Sequence, residues 1–301
     1  MSGEFGGVRP IVHTPFAASA GTPVAGRELR GLVEWLRGFE LAGVVALGLA
    51  AEASALTDAE RDTVVVDVVD AAAGWAVTVG IDGPTGEAAA RARRAAELGA
   101  SSLMVLPPPG PVTRNVLVRH FATVAEAGLP IVVQDSPQAT GVELDAEALI
   151  ALAATVPAVT AVKVEAPAAG PKVSRLAGQL DVVAGWGGLH YPDSLERGAC
   201  GLMPGSDLAA AFAAVHRTWR AGDRAGAEAG YRALLPYLSY QSQSLELLIL
   251  GAKLALVRAG IFGRGELRDP LARLDPQQAD TLTRLGGQLV AAGVPGWGGP
   301  P

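Results

Sequence analysis

The chain has 301 residues, a formal net charge of -6, a single cysteine and 50% apolar residues. That length and apolar share support one large buried core, and they exclude a disordered chain, a collagen-like repeat and a disulfide scaffold. The basic residues form no run, which argues against a nucleic-acid face because phosphate contacts need clustered Lys or Arg. A small molecule is the expected partner. Glu52, Asp207 and Lys253 interrupt the longest apolar stretches. They keep these short of the roughly 18 uninterrupted apolar residues of a membrane helix, so no membrane span is expected. Residues 1–10 carry Glu4 and Arg9 with no apolar h-region behind a basic start, and the expected location is therefore the cytoplasm.

Short apolar runs recur at residues 8–16, 43–48, 75–81, 102–107, 130–136, 159–165, 181–187 and 199–205. Each is followed by an alanine-rich stretch with helical spacing, as in residues 86–98 and 144–154. Strand and helix alternating in this way predict a parallel sheet, and eight such units predict a closed (β/α)8 barrel. A doubly wound sheet would fit fewer strands and would usually carry a glycine loop after the first. Here the first strand ends in Thr14-Pro15-Phe16. The barrel is expected over residues 1–220. Residues 221–301 hold only helical patterns and read as a helical extension, with a Gly- and Pro-rich tail from 293 expected to fray.

Functional groups of such barrels sit at the C-terminal ends of the strands. In strand six, alternation puts Ala161, Lys163 and Glu165 on one face and turns Val162 and Val164 toward the helices. Lysine occurs only at 163, 172 and 253. An ammonium is costly in an apolar strand, whereas a neutral amine attacks carbonyls, which makes Lys163 the candidate nucleophile. The alternative is that Lys163 merely pairs with Glu165 or an acidic neighbour as a buried ion pair. Strand five places Val132, Gln134 and Ser136 on one face, so an amide and a hydroxyl stand beside the lysine; Asp135, of opposite parity, is expected to cap the turn before Pro137. After strand two, small residues at Ala50 and Ala51 let backbone N–H groups approach a carboxylate. Thr57 with Glu60 matches a capping box. His13, His120, His190 and His216 are scattered, so no metal is expected, and no cofactor is implied. The cluster Gly185-Trp186-Gly187-Gly188 lacks a full phosphate-binding pattern.

These residues resemble the dihydrodipicolinate synthase and N-acetylneuraminate lyase family of class I aldolases over nearly the whole chain. The matches are Thr14-Pro15-Phe16, residues 48–52 in place of the family's Gly-Thr-Thr-Gly-Glu, residues 56–61, residues 137–141, and Val162-Lys163-Val164-Glu165. The resemblance implies a (β/α)8 barrel with a C-terminal helical extension, usually a homotetramer. It also makes Lys163 the residue that forms a Schiff base with a 2-keto acid.

The departures bear on the reaction. All four tyrosines, Tyr191, Tyr231, Tyr237 and Tyr240, lie late in the chain, so the family's strand-five tyrosine is replaced by Gln134. Pro107-Pro108-Pro109-Gly110 stands where the synthases carry a strand-four tyrosine pair, Leu49-Ala50 where they carry a threonine pair, and Ala139 where they carry the aldehyde-binding arginine. These losses argue against lysine biosynthesis. Gln134 cannot exchange a proton as a phenol does, whereas elimination of water needs a base for C3 and an acid for the C4 hydroxyl, both of which Glu165 could supply.

Gln134 with Lys163-Val164-Glu165 looks like the 2-keto-3-deoxy-L-arabonate dehydratase branch. On that reading Lys163, Glu165 and Gln134 are catalytic. Backbone at Ala50 and Ala51 holds the C1 carboxylate, with Ser136 and Ser206 as weaker contacts. Gly185 and Met203 complete the substrate-binding set. Two alternatives remain: a retro-aldol lyase that releases pyruvate, and a catalytically lapsed ligand-binding barrel.

Overall fold

The structure, a computed structural model, describes residues 3–18, 23–166, 168–268 and 275–297. The eight apolar runs form parallel strands β1 Gly7–Val8, β2 Val44–Ala46, β3 Val77–Ile81, β4 Ser102–Val105, β5 Ile131–Asp135, β6 Val159–Val164, β7 Asp181–Ala184 and β8 Gly201–Leu202. Their hydrogen-bonded order is β1-β8-β7-β6-β5-β4-β3-β2. The two ends of that order meet, because Ile11 bridges Val45 and the Val12 N–H donates to the Val45 carbonyl at 2.8 Å. The sheet is therefore closed into the expected barrel. Each strand is shorter than the run that announces it, because apolar residues at one or both ends of the run lie outside the ladder.

Around the barrel lie α1 Gly26–Leu36, α2 Asp58–Ala72, α3 Thr85–Glu97 and α4 Arg114–Ala125. The single turn α5 Pro137–Thr140, then α6 Ala146–Thr155, α7 Ala169–Leu176, α8 Tyr191–Glu196 and α9 Ala209–Arg220 complete the ring. Local chemistry starts them: Thr57 and Glu60 form the expected capping box on α2, and Asp145 caps α6 by accepting from the Ala148 N–H. In α3, Ala88, Ala89, Ala92 and Ala95 fall on one buried face, small enough to lie close against the strands. Gly43, at φ 144, allows a similar approach, since a Cβ there would stand 2.4 Å from the Ala76 carbonyl oxygen.

The alternation read from the sequence sorts the core. Val133, Val162 and Val164 pack outward with helix residues such as Leu29, Leu32 and Leu149, while Met104, Val132, Ala161 and Val183 fill the barrel interior.

Beyond the barrel come α10 Arg224–Gln241, α11 Leu245–Arg258 and α12 Pro276–Ala291. They cover Leu202, Tyr191 and Phe212 with Tyr237, Leu238 and Leu285. The tail differs from expectation: Val294 and Trp297 are buried, and the Trp297 ring meets Tyr237 edge-on with centroids 4.8 Å apart. An indole of this size brings enough apolar surface to hold the segment down. Residues 298–301 lie outside the described residues. Among the described residues no helix is long and apolar enough to cross a membrane.

Candidate active site

Register places Gln134 of β5 directly beside Lys163 of β6. One residue on, Glu165 leaves the ladder but keeps its N–H on the Asp135 carbonyl at 2.9 Å, which fixes where its side chain starts. The carboxylate is then held from three sides. Lys163 Nζ lies 3.1 Å from Oε1, the Trp186 N–H donates to Oε1 at 3.2 Å, and Gln134 Nε2 donates to Oε2 at 2.8 Å. Two features after β7 make room and supply the donor. A Cβ on Gly185 would stand 2.3 Å from Glu165 Cγ, so glycine is required there. Trp186 takes the left-handed φ of 50°, a conformation that costs a non-glycine residue of order 1–3 kcal/mol and that here aims its N–H at the carboxylate.

The Lys163 and Glu165 side chains are 4% and 10% exposed. Burial alone would raise the Glu165 carboxyl, but the Lys163 ammonium, the Gln134 amide and the Trp186 N–H outweigh it and hold the group below the usual 4.5. A buried carboxylate kept ionised beside a buried amine is equipped to take and return protons.

Above this pair opens a cavity of about 580 Å³, lined in part by Lys163, Glu165, Gln134, Ser136, Ala50 and Met203. The structure thus brings together six of the nine residues singled out from the sequence. Gly185 acts behind them by accommodating Glu165. Ala51 and Ser206 are not among the lining residues. Ala51 is fully buried, its N–H committed to the Gly48 carbonyl at 2.8 Å and its carbonyl to the Thr14 hydroxyl at 2.7 Å. Ser206 instead pairs with His13 Nδ1 at 2.7 Å. Among the described residues no backbone acceptor takes the Ala50 N–H, so Ala50 keeps a donor for an anion. Asp135 does not cap its turn; it pairs with Lys172 of α7 at 2.7 Å, on the helix side of the sheet.

Three features were not read from the sequence. The first is the Trp186 N–H, whose role depends on a backbone dihedral. The second is a wall of the cavity formed by residues 242–246, between α10 and α11. Its signal was the polar run Ser242-Gln243-Ser244 between two apolar helices. The third is an ion pair between Glu52 and Lys253, both deeply buried, with the Arg268 N–H donating to Glu52 Oε2 at 2.8 Å. His13 is held neutral, pushed down to about 3 by burial and then by Lys253, so it serves as no acid near neutrality.

Among the described residues no cluster of three or more His, Cys, Asp or Glu could hold a metal ion. A second cleft of about 200 Å³ lies between α2 and α3, but its arginines are engaged: Arg61 and Arg91 with Asp82, Arg94 with Asp62.

The model of the dihydrodipicolinate synthetase family matches residues 4–288. The L-2-keto-3-deoxyarabonate dehydratase of Azospirillum brasilense is 29% identical over 94% of each chain. The 4-hydroxy-tetrahydrodipicolinate synthase of Xanthomonas campestris pv. campestris is 33% identical over 95% of each. The crystal structure of dihydrodipicolinate synthase from Rhodopseudomonas palustris superposes with a TM-score of 0.88 at 25% identity, covering 96% of this chain and 99% of that one. With its closed barrel, its helical extension and a lysine at the barrel mouth, the chain belongs to the dihydrodipicolinate synthetase family, whose members are lyases and aldolases that work through a lysine Schiff base.

Proposed function

We propose that the protein dehydrates a 2-keto-3-deoxy sugar acid through an imine on Lys163. The observation that carries this reading is the Glu165 carboxylate, ionised and 3.1 Å from Lys163 Nζ, with an amide, Gln134, beside it rather than a phenol. Similarity to the Azospirillum dehydratase over 94% of the chain supports it.

Lys163 Nζ, having passed its proton to Glu165, attacks the C2 carbonyl, and Glu165 returns that proton to the carbinolamine hydroxyl, so that water leaves, an iminium ion remains and Glu165 is again a carboxylate. The iminium acidifies C3, from which Glu165 takes a proton to form the enamine. Return of that proton to the C4 oxygen releases water and leaves a conjugated iminium. A proton then moves from C5 to C3, the resulting C4–C5 enol passes its hydroxyl proton to C4, and hydrolysis frees Lys163 with an aldehyde at C5 of a five-carbon acid. C4 is thereby reduced as C5 is oxidised, so the step needs no external redox partner. Gln134 holds Glu165 in place and orients substrate hydroxyls. The Ala50 N–H takes the C1 carboxylate. Ala139 offers no guanidinium for a second carboxylate, which argues against the synthase activity of the Xanthomonas relative.

The test is borohydride trapping with pyruvate and with 2-keto-3-deoxy-L-arabonate, followed by peptide mapping and product analysis. A reduced adduct on Lys163 and a semialdehyde product are expected. Absence of any adduct would overturn the Schiff-base reading, and pyruvate released from the sugar acid would replace dehydration by aldol cleavage.

A further inference from the structure

The residues at the barrel mouth account for the C1 and C2 end of a substrate, but part of the cavity lining comes from outside the barrel. Ser242, Gln243, Ser244, Leu245 and Glu246, where α10 gives way to α11, line it together with Gln134 and Gln138. The Ser242 Oγ is buried without a hydrogen-bond partner. Ser244 Oγ accepts the Leu247 N–H at 3.2 Å as the cap of α11, which leaves its own proton to donate. Gln243 Nε2 is bound to the Tyr240 carbonyl at 3.0 Å, which leaves its side-chain oxygen to accept. These are groups suited to hydroxyls.

Charge sharpens the reading. Among the described residues Lys163 is the cavity's one cation, and it already faces Glu165. The start of α11 brings a partial positive end to the wall, but Glu246 lies in that first turn and offsets it. A carboxylate or phosphate at the far end of a substrate would therefore meet Glu246 with no cation to compensate.

We propose that residues 242–246 form a lip that reads the far end of the substrate, and that Glu246 selects chains ending in a neutral, hydroxylated group over chains ending in an anion. The proposal rests on the Schiff-base reading above, which anchors the other end at Lys163. It makes the helical extension part of the active site, and Glu246 a specificity residue that touches the substrate tail.

The experiment compares 2-keto-3-deoxyhexonate, which ends in a primary alcohol, with 2-keto-3-deoxyhexarate, equally long but ending in a carboxylate. Wild-type protein and Glu246→Lys are assayed with both, alongside pyruvate trapping of the wild type. The expected result is a wild-type preference for the alcohol-ended acid in kcat/KM and in trapping rate, shifted at least about tenfold toward the dianion by Glu246→Lys as one charge is reversed nearby. That shift should shrink in high salt. Using a ratio of substrates cancels any general damage done by the substitution. Equal use of both acids by the wild type, or an unchanged ratio in Glu246→Lys, would overturn the lip while pyruvate trapping still upheld the Schiff base. Failure of pyruvate to trap would overturn the Schiff-base reading itself.

Discussion

Two lysines in this protein are buried against glutamates, Lys163 beside Glu165 and Lys253 beside Glu52, and their surroundings differ in one respect. Lys163 and Glu165 border a cavity of about 580 Å³. Lys253 and Glu52 are sealed: Lys253 is 1% exposed, its Nζ sits 4.4 Å from the centre of the Phe16 ring, and it donates to the Glu266 carbonyl at 3.1 Å. Burial draws the Lys253 ammonium below its ordinary value, and Glu52 recovers part of that loss. The sealed pair ties α11 to the turn at residues 48–56, beneath one wall of the cavity. The same two side chains thus border a cavity at one place and form a sealed clamp at the other.

Exchanging the lysines one at a time separates these roles. Lys163→Ala should abolish trapping and lower turnover on the order of 10⁴-fold, with an unchanged circular dichroism spectrum. Its fold survives because Glu165 keeps the Gln134 and Trp186 donors and borders the cavity. Lys253→Met should instead cost about 3–5 kcal/mol of stability in urea unfolding, the expected penalty for a buried charge left unpaired. Adding Glu52→Gln should restore much of it. Equal stability losses in the two single variants would erase the distinction between the pairs.

A smaller effect concerns the pair at the cavity. Glu165→Gln should leave pyruvate trapping on Lys163 intact and slow dehydration about 10²–10³-fold. Because the native carboxyl is held below 4.5, the acid limb of the wild-type kcat/KM profile should fall below that pH. A limb near neutrality would assign the base to another group.

The smallest effect concerns a buried carboxyl that forms no ion pair among the described residues. Asp207, after β8, is fully enclosed near Tyr237 and Arg258, with neither oxygen in a well-formed hydrogen bond, and burial pushes it up to about 7 from 3.8. The folded state then holds a proton that the unfolded state releases between pH 3.8 and 7, so this group's contribution to stability falls as pH rises through that window. Asp207→Asn should stabilise the protein at pH 8 by about 1–3 kcal/mol, with the gain vanishing near pH 4. A pH-independent gain in thermal unfolding would point to packing instead.

Much of the site was legible because a strand has a period of two. Given the strands at residues 130–136 and 159–165, parity alone put Gln134, Lys163 and Glu165 on the inner face, and register then set Gln134 beside Lys163. Helix starts were legible for the same local reason, as Thr57 and Glu60 show. Roles that depend on where a backbone atom points were not. Ala51 looked like a partner of Ala50, but in a tight turn alternate N–H groups face different ways, and that of Ala51 closes the turn onto Gly48. Ser206 was drawn away by His13, 193 residues distant in sequence.

Chain order and apolar spacing by themselves determined the barrel, its inner face and the lysine on it, because these follow from periodicities of a few residues. Tertiary structure alone decided which of two buried lysine–glutamate pairs meets a cavity, that a left-handed tryptophan donates to Glu165, and that the helical extension supplies a wall of the site. Each of those depends on segments brought together from far apart in the chain, a relation that no local pattern of side chains encodes.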